Sequence, residues 1–166
     1  MKAKSNWEQS GFVKEESDLK NTLLHLEENI EQVAELFSTL SQEAILERPT
    51  PGKWSKKEIL GHLIDSAINN LKRFTEIQFS PQPYVVISYR QDELVQVNHY
   101  QDLPLQHLIG LWQNLNRQIV FVARNIPADK LNYQVDPKYD DRVLRTLAWI
   151  IGDYVAHMDH HLEQLH

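Results

Sequence analysis

Leu19, Leu23, Leu26, Ile30, Val33, Phe37 and Leu40 recur at three- and four-residue steps, the spacing that gathers apolar side chains on one face of an α-helix. A first long amphipathic helix is therefore predicted from about residue 15 to 40. Its opening, Glu15-Glu16-Ser17-Asp18, is acidic and suits the positive end of a helix dipole. Arg48-Pro49-Thr50-Pro51-Gly52 breaks the pattern. Ser55-Lys56-Lys57-Glu58 then reads as a capping box, with the Ser55 hydroxyl placed for the Glu58 amide and the Glu58 carboxylate reaching back. A second helix follows to about Gln78, its core stripe Leu60, Leu63, Ala67, Leu71 and Phe74.

Beyond Pro81 and Pro83 the pattern weakens to a short helix around Gln91 to Tyr100. Leu105, Leu108, Ile109, Trp112, Leu115, Ile119, Val122 and Ile126 then give the cleanest stripe in the chain, closed by Pro127. Asn132 to Asp141 is polar, contains Pro137 and reads as a long connection. A last helix is predicted from about Arg142 to Leu165, with Leu144, Leu147, Ile151, Tyr154, Val155, Met158, Leu162 and Leu165 as its stripe. Only Tyr84 to Tyr89 alternates in a strand-like way, and it is expected to be one extended piece in a loop. There is no internal repeat. Four long helices predict an all-α four-helix bundle, a single domain over 1–166, with ligand sites between facing helices.

Composition narrows what such a bundle can do. At 166 residues the chain can bury a core without disulfides or a structural metal. It has no cysteine, which removes thiolate ligands and a cysteine nucleophile together. A transition-metal site would have to use histidine, carboxylate or water. A net charge of -6 argues against general nucleic-acid affinity. Met1 to Trp7 lacks the apolar run of a signal peptide and no later run approaches a membrane span, so no membrane partner and cytoplasmic residence are expected.

Candidate chemistry concentrates in histidine. His157 and His161 lie one helical turn apart, so two imidazoles can converge on one ion at about 2.0 to 2.1 Å. His161 falls inside the apolar stripe and His157 on its edge, whereas His160 and Glu163 point elsewhere. No Glu follows His157, which excludes the HExxH pattern of zinc proteases. His62 shares one side of the second helix with Asp65, Ser66, Asn69 and Arg73, a line that either faces water or lines a cleft. Asp65 is a candidate catalytic residue, as a proton acceptor or a carboxylate supporting a ligand, and is equally read as a surface acid. Arg73 is read either as an anion anchor or as a solvated arginine. Trp54 is expected to pack at the helix entrance, and His25, His99, His107 and His166 have no convergent spacing.

Pro51 to Asp65, with its Trp54-Ser55-x-x-Glu58 helix start and His62, followed downstream by His157 to Gln164, resembles the DinB/YfiT-like superfamily of metal-dependent enzymes. The resemblance spans nearly the whole chain. It implies a four-helix bundle in which three histidines, here His62, His157 and His161, bind a divalent transition metal; His160 inherits no ligand role. Zinc or nickel is the leading expectation, iron or manganese the alternative. Three imidazoles leave coordination positions open, as catalytic sites do. Members of the superfamily include thiol-dependent S-transferases, a maleylpyruvate isomerase that uses a low-molecular-weight thiol, and proteins assigned as hydrolases. The expectation is therefore a metal that activates water or a small thiol, with a small-molecule substrate, a low-molecular-weight thiol among the candidate partners, and a homodimeric assembly. The competing expectation is a metal-binding or stress-related bundle without turnover.

Overall fold

Six α-helices run through the residues that the computed structural model describes, 16–139 and 142–166. Most of the acidic opening read from Glu15 to Asp18 lies outside them, since neither Glu15 nor the side chains of Glu16 and Ser17 are described. The long helices are α1 (Glu16–Ser38), α3 (Lys56–Glu76), α5 (Leu105–Arg124) and α6 (Leu147–Glu163). Two shorter ones, α2 (Gln42–Leu46) and α4 (Gln91–Val97), sit in the connections. The periodicity does not predict α2, because five residues are too few to display a period; its signal is Ser41, whose side chain accepts from the Ala44 amide.

The long helices close into a ring in which α3 packs on α5, α5 on α1, α1 on α6 and α6 on α3. Consecutive long helices α1 and α3 thus stand across a diagonal, as do α5 and α6. The connections from α1 to α3 and from α5 to α6 span these diagonals. Inside lie Leu26, Ile30, Leu60, Leu63, Ile64, Leu108, Trp112, Ile119, Leu147 and Ile151, all essentially inaccessible. Of the four, α3 is covered most completely: every residue from Lys57 to Ala67 is buried, apolar stripe and polar line alike. The line of His62, Asp65 and Ser66 therefore faces the protein and not water.

Gly61 helps explain that coverage. A Cβ at this position would overlap the Tyr100 ring, so the absent side chain is what lets the segment after α4 settle on α3. That segment is a helical turn, Tyr100–Asp102, entered through His99 in the left-handed region at φ 51°. The single helix predicted over 91–100 is consequently split at His99.

The C-terminal half departs most from expectation. Arg145–Thr146 is a strand, β3, paired antiparallel with β2 (Gln134–Asp136), which pairs parallel with β1 (Tyr84–Val85). The polar connection thus carries the central strand of a small sheet, and Val135 on it is fully buried. Strands of two or three residues are too short for alternation to reveal. With residues 145–146 engaged in pairing, the last helix begins at Leu147 and not near Arg142, and Thr146 caps it by accepting from the Trp149 amide at 3.1 Å. Leu144, expected in the helical stripe, is 43% exposed. No helix among the described residues is long and apolar enough to cross a membrane.

Candidate metal centre

The start of α3 is fastened before it presents any chemistry. Ser55 accepts from the Glu58 amide at 3.1 Å while Glu58 accepts from the Ser55 amide at 2.9 Å, the reciprocal box that the sequence predicts. Arg48 grips the same carboxylate, its Nε donating at 2.8 Å, and holds Glu58 below the usual carboxylate range. Lys56 donates to the Leu165 carbonyl at 2.6 Å and to His166 O at 3.1 Å, at the end of α6 where helix carbonyls lack partners. This tether sets the first turns of α3 beside the last turns of α6. His62 then meets His157 and His161.

The three imidazoles converge. Nε2 of His62 lies 3.3 Å from Nε2 of His157, and one potential ligand atom from each of His62, His157 and His161 falls within 4.8 Å of the others. Ring centroids are 4.7 Å apart for His62 and His161 and 4.6 Å for His157 and His161. Two nitrogens each about 2.0 to 2.1 Å from one ion at a near-tetrahedral angle would be separated by about the same 3.3 Å. His62 is fully buried and the other two are half-buried. Desolvation, reinforced by the neighbouring imidazole of His161, pushes the His62 pKa down to about 3. Desolvation, then His160, takes His161 down to about 4, and burial lowers His157 well below its ordinary value. At neutral pH all three are neutral, the form that can ligate.

The same burial leaves polar atoms unsatisfied. Nδ1 of His62 and Nδ1 of His161 are buried without a hydrogen-bond partner, a cost of about 1–3 kcal/mol each in an ordinary core. A cation shared among the rings would be received at the converging nitrogens, Nε2 of His62 and of His157 among them. An all-imidazole donor set lacking thiolate suits zinc, nickel or iron better than manganese, which favours oxygen ligands. The residues present therefore fit a divalent ion. Trp54, expected only at the helix entrance, lies against the His62 ring at 4.8 Å between centroids and forms part of a cleft of about 780 Å³ that His161 and Gln164 also line. A second cleft, of about 250 Å³, reaches His157 from the side of Ser66, Asn70 and Arg73. Each α6 histidine of the cluster thus borders a space that a small molecule can enter.

Burial overturns the surface reading of Asp65. The side chain is 4% exposed, its Oδ1 accepts from the Tyr100 hydroxyl at 2.7 Å and from Asn98 at 3.1 Å, and its Oδ2 has no partner. Burial raises its pKa against the opposing effect of those two donors. It is not a surface acid, and it does not join the cluster of ligand atoms. His160 also stays out: its ring packs on His161 at 5.3 Å and its Nε2 pairs with Gln164 at 3.1 Å. His25, which spacing left unassigned, reaches from α1 to both oxygens of Asp159 at 3.0 Å, and Asn29 donates to the same carboxylate at 2.7 Å. Asn98, Tyr100 and Asn29 carried no sequence signal, because each contacts its partner through folding of distant segments.

The fold and this cluster can be set against known proteins. The chain is 19% identical over 148 residues to a protein from Oceanobacillus iheyensis assigned by its name to the metal-dependent hydrolases, a match covering 89% of this chain and 83% of that one. Among solved structures it superposes with a TM-score of 0.81 on YfiT from Bacillus subtilis, described as a probable metal-dependent hydrolase with an unusual four-helix bundle topology. That likeness is 17% in identity and covers 92% of this chain and 86% of YfiT, so it bears on the fold. The model of the DinB superfamily matches residues 25–165, from the middle of α1 to just past the end of α6. With most of its length in that match, the chain belongs to the DinB superfamily.

Proposed function

We propose that the chain is a divalent-metal-dependent enzyme in which His62, His157 and His161 hold the ion and a small nucleophile, water or a low-molecular-weight thiol, attacks an electrophilic substrate. The observation that carries this reading is the convergence of three neutral imidazoles at a point bordered by two clefts. When bound, a divalent ion supplies Lewis-acid chemistry: it eases deprotonation of water or a thiol at neutral pH and polarises a carbonyl. The protein's own contribution is placement. Helix α6 fixes two donors one turn apart, α3 supplies the third, and Trp54 covers one face of the His62 ring. Asp65 takes the proton released as the nucleophile forms, a role suited to a buried carboxylate with one oxygen free of partners.

The hydrolase-type names of the two relatives support the water branch of this reading, while the cysteine-free cluster leaves a thiol to come from outside. A screen of zinc- and nickel-loaded protein against small esters, amides and thiol acceptors, with and without added thiol, separates the branches. Turnover independent of thiol identifies a hydrolase; turnover that needs it identifies a transferase. Stoichiometric metal without turnover on any substrate would favour the non-catalytic metal-binding bundle.

A further inference from the structure

The smaller cleft has chemically different ends. His157, facing His62, lines one part of it; Ser66, Asn70 and Arg73 line the wall that α3 provides. These three follow His62 at one-turn steps along the same face, and Arg73 stands about three turns, or roughly 16 Å, further along the axis. The guanidinium is half-buried and held from several sides. Its Nη2 donates to the Ile87 carbonyl at 2.8 Å, its Nη1 approaches Asn70 Oδ1 at 3.4 Å, and it stacks over the Tyr89 ring at 5.6 Å. None of those partners carries a negative charge. Arg48, Arg90, Arg117 and Arg124 each pair with a carboxylate, whereas Arg73 makes no ion pair among the described residues. Asp153, across the cleft, accepts from the Tyr139 hydroxyl at 2.7 Å.

An arginine with five N–H donors, fixed by a carbonyl and a ring and facing a cleft, is arranged to receive a planar anion in a two-pronged contact. We propose that Arg73 forms a carboxylate subsite, so that the substrate is a small molecule with a carboxylate at one end and its reacting group at the other, on the order of 10–15 Å away beside the imidazole cluster. The cleft is smaller than the roughly 300–1,000 Å³ that drug-sized ligands occupy, which favours a slender chain over a fused ring system. This subsite rests on the reading that the histidines hold a metal, since the ion would receive the other end.

Straight-chain dicarboxylates of about four to twelve carbons test the ruler, the range bracketing the spacing along α3. Zinc content is measured first; each diacid and the monoacid of equal length are then titrated calorimetrically into the zinc-loaded protein. Affinity should pass through a maximum with length and there exceed that of the matching monoacid about tenfold. Arg73→Gln should erase that advantage with zinc content unchanged, and Arg73→Lys should keep part of it. Equal binding of diacids and monoacids, or an advantage that survives Arg73→Gln, would overturn the subsite while leaving the metal reading intact. If no zinc loads, the metal reading fails by itself; monoacid binding to the metal-free protein that Arg73→Gln abolishes would still support the subsite, and absence of such binding would remove it.

Discussion

His160 and His161 are adjacent in sequence and unequal in consequence. His161 supplies a nitrogen to the convergent cluster, whereas His160 spends its Nε2 on Gln164. His161→Ala should abolish stoichiometric binding of a divalent ion, and His160→Ala should leave most of it, as read by elemental analysis after loading and desalting; equal losses would mean the pair has been misassigned. Protonation offers a second residue-scale test. The folded protein holds all three imidazoles below the ordinary histidine value of 6.5, so the unfolded chain takes up protons that the folded one refuses. Their contribution to stability is complete above about pH 6.5 and declines as pH falls toward 4. Melting of the metal-free protein should therefore shift downward between pH 7 and pH 5, and His161→Gln should flatten that slope. An unchanged slope in the variant would remove the imidazoles as its cause. That the three histidines belong together was legible from a one-turn spacing and a family likeness. The burial that keeps them neutral was not, because it comes from Trp54 and the opposing helix.

At the scale of elements, α3 was the most readable and the most misleading. Its capping box is visible in four consecutive residues and forms as read. Its polar line left water and cleft equally open, since a helical period reports which residues share a face and not what covers that face. The cover comes from elsewhere in the chain, and Gly61 is where it touches. Gly61→Ala improves helix propensity yet drives a methyl group into the Tyr100 ring, and the overlap should win by about 1–3 kcal/mol of lost stability in denaturant unfolding. Combining it with Tyr100→Ala, which removes the overlapping Cγ and Cδ2, should cost less than the two changes added separately. Full additivity would show that the ring is not the obstacle. The three short strands lay below the reach of any periodicity, and with them went the true start of α6: Thr146 is a good cap, but nothing local marks Arg145 as paired to Val135.

For the whole molecule, four long helices were countable from the sequence, but their arrangement was not. Stripes say that helices pack; they do not say that consecutive ones will stand diagonally. That arrangement matters, because it makes α3 and α6 neighbours although α5 separates them in the chain. It also orders events during synthesis. His62 emerges from the ribosome long before His157 and His161, and α3, α5 and the sheet strand that frees α6 must all be made before the three nitrogens can meet. Of the three, the growing chain therefore holds only His62 until α6 is made, and the cluster can form only then. On the proposed reading, the choice of ion waits until α3 and α6 have packed and set the spacing of the nitrogens.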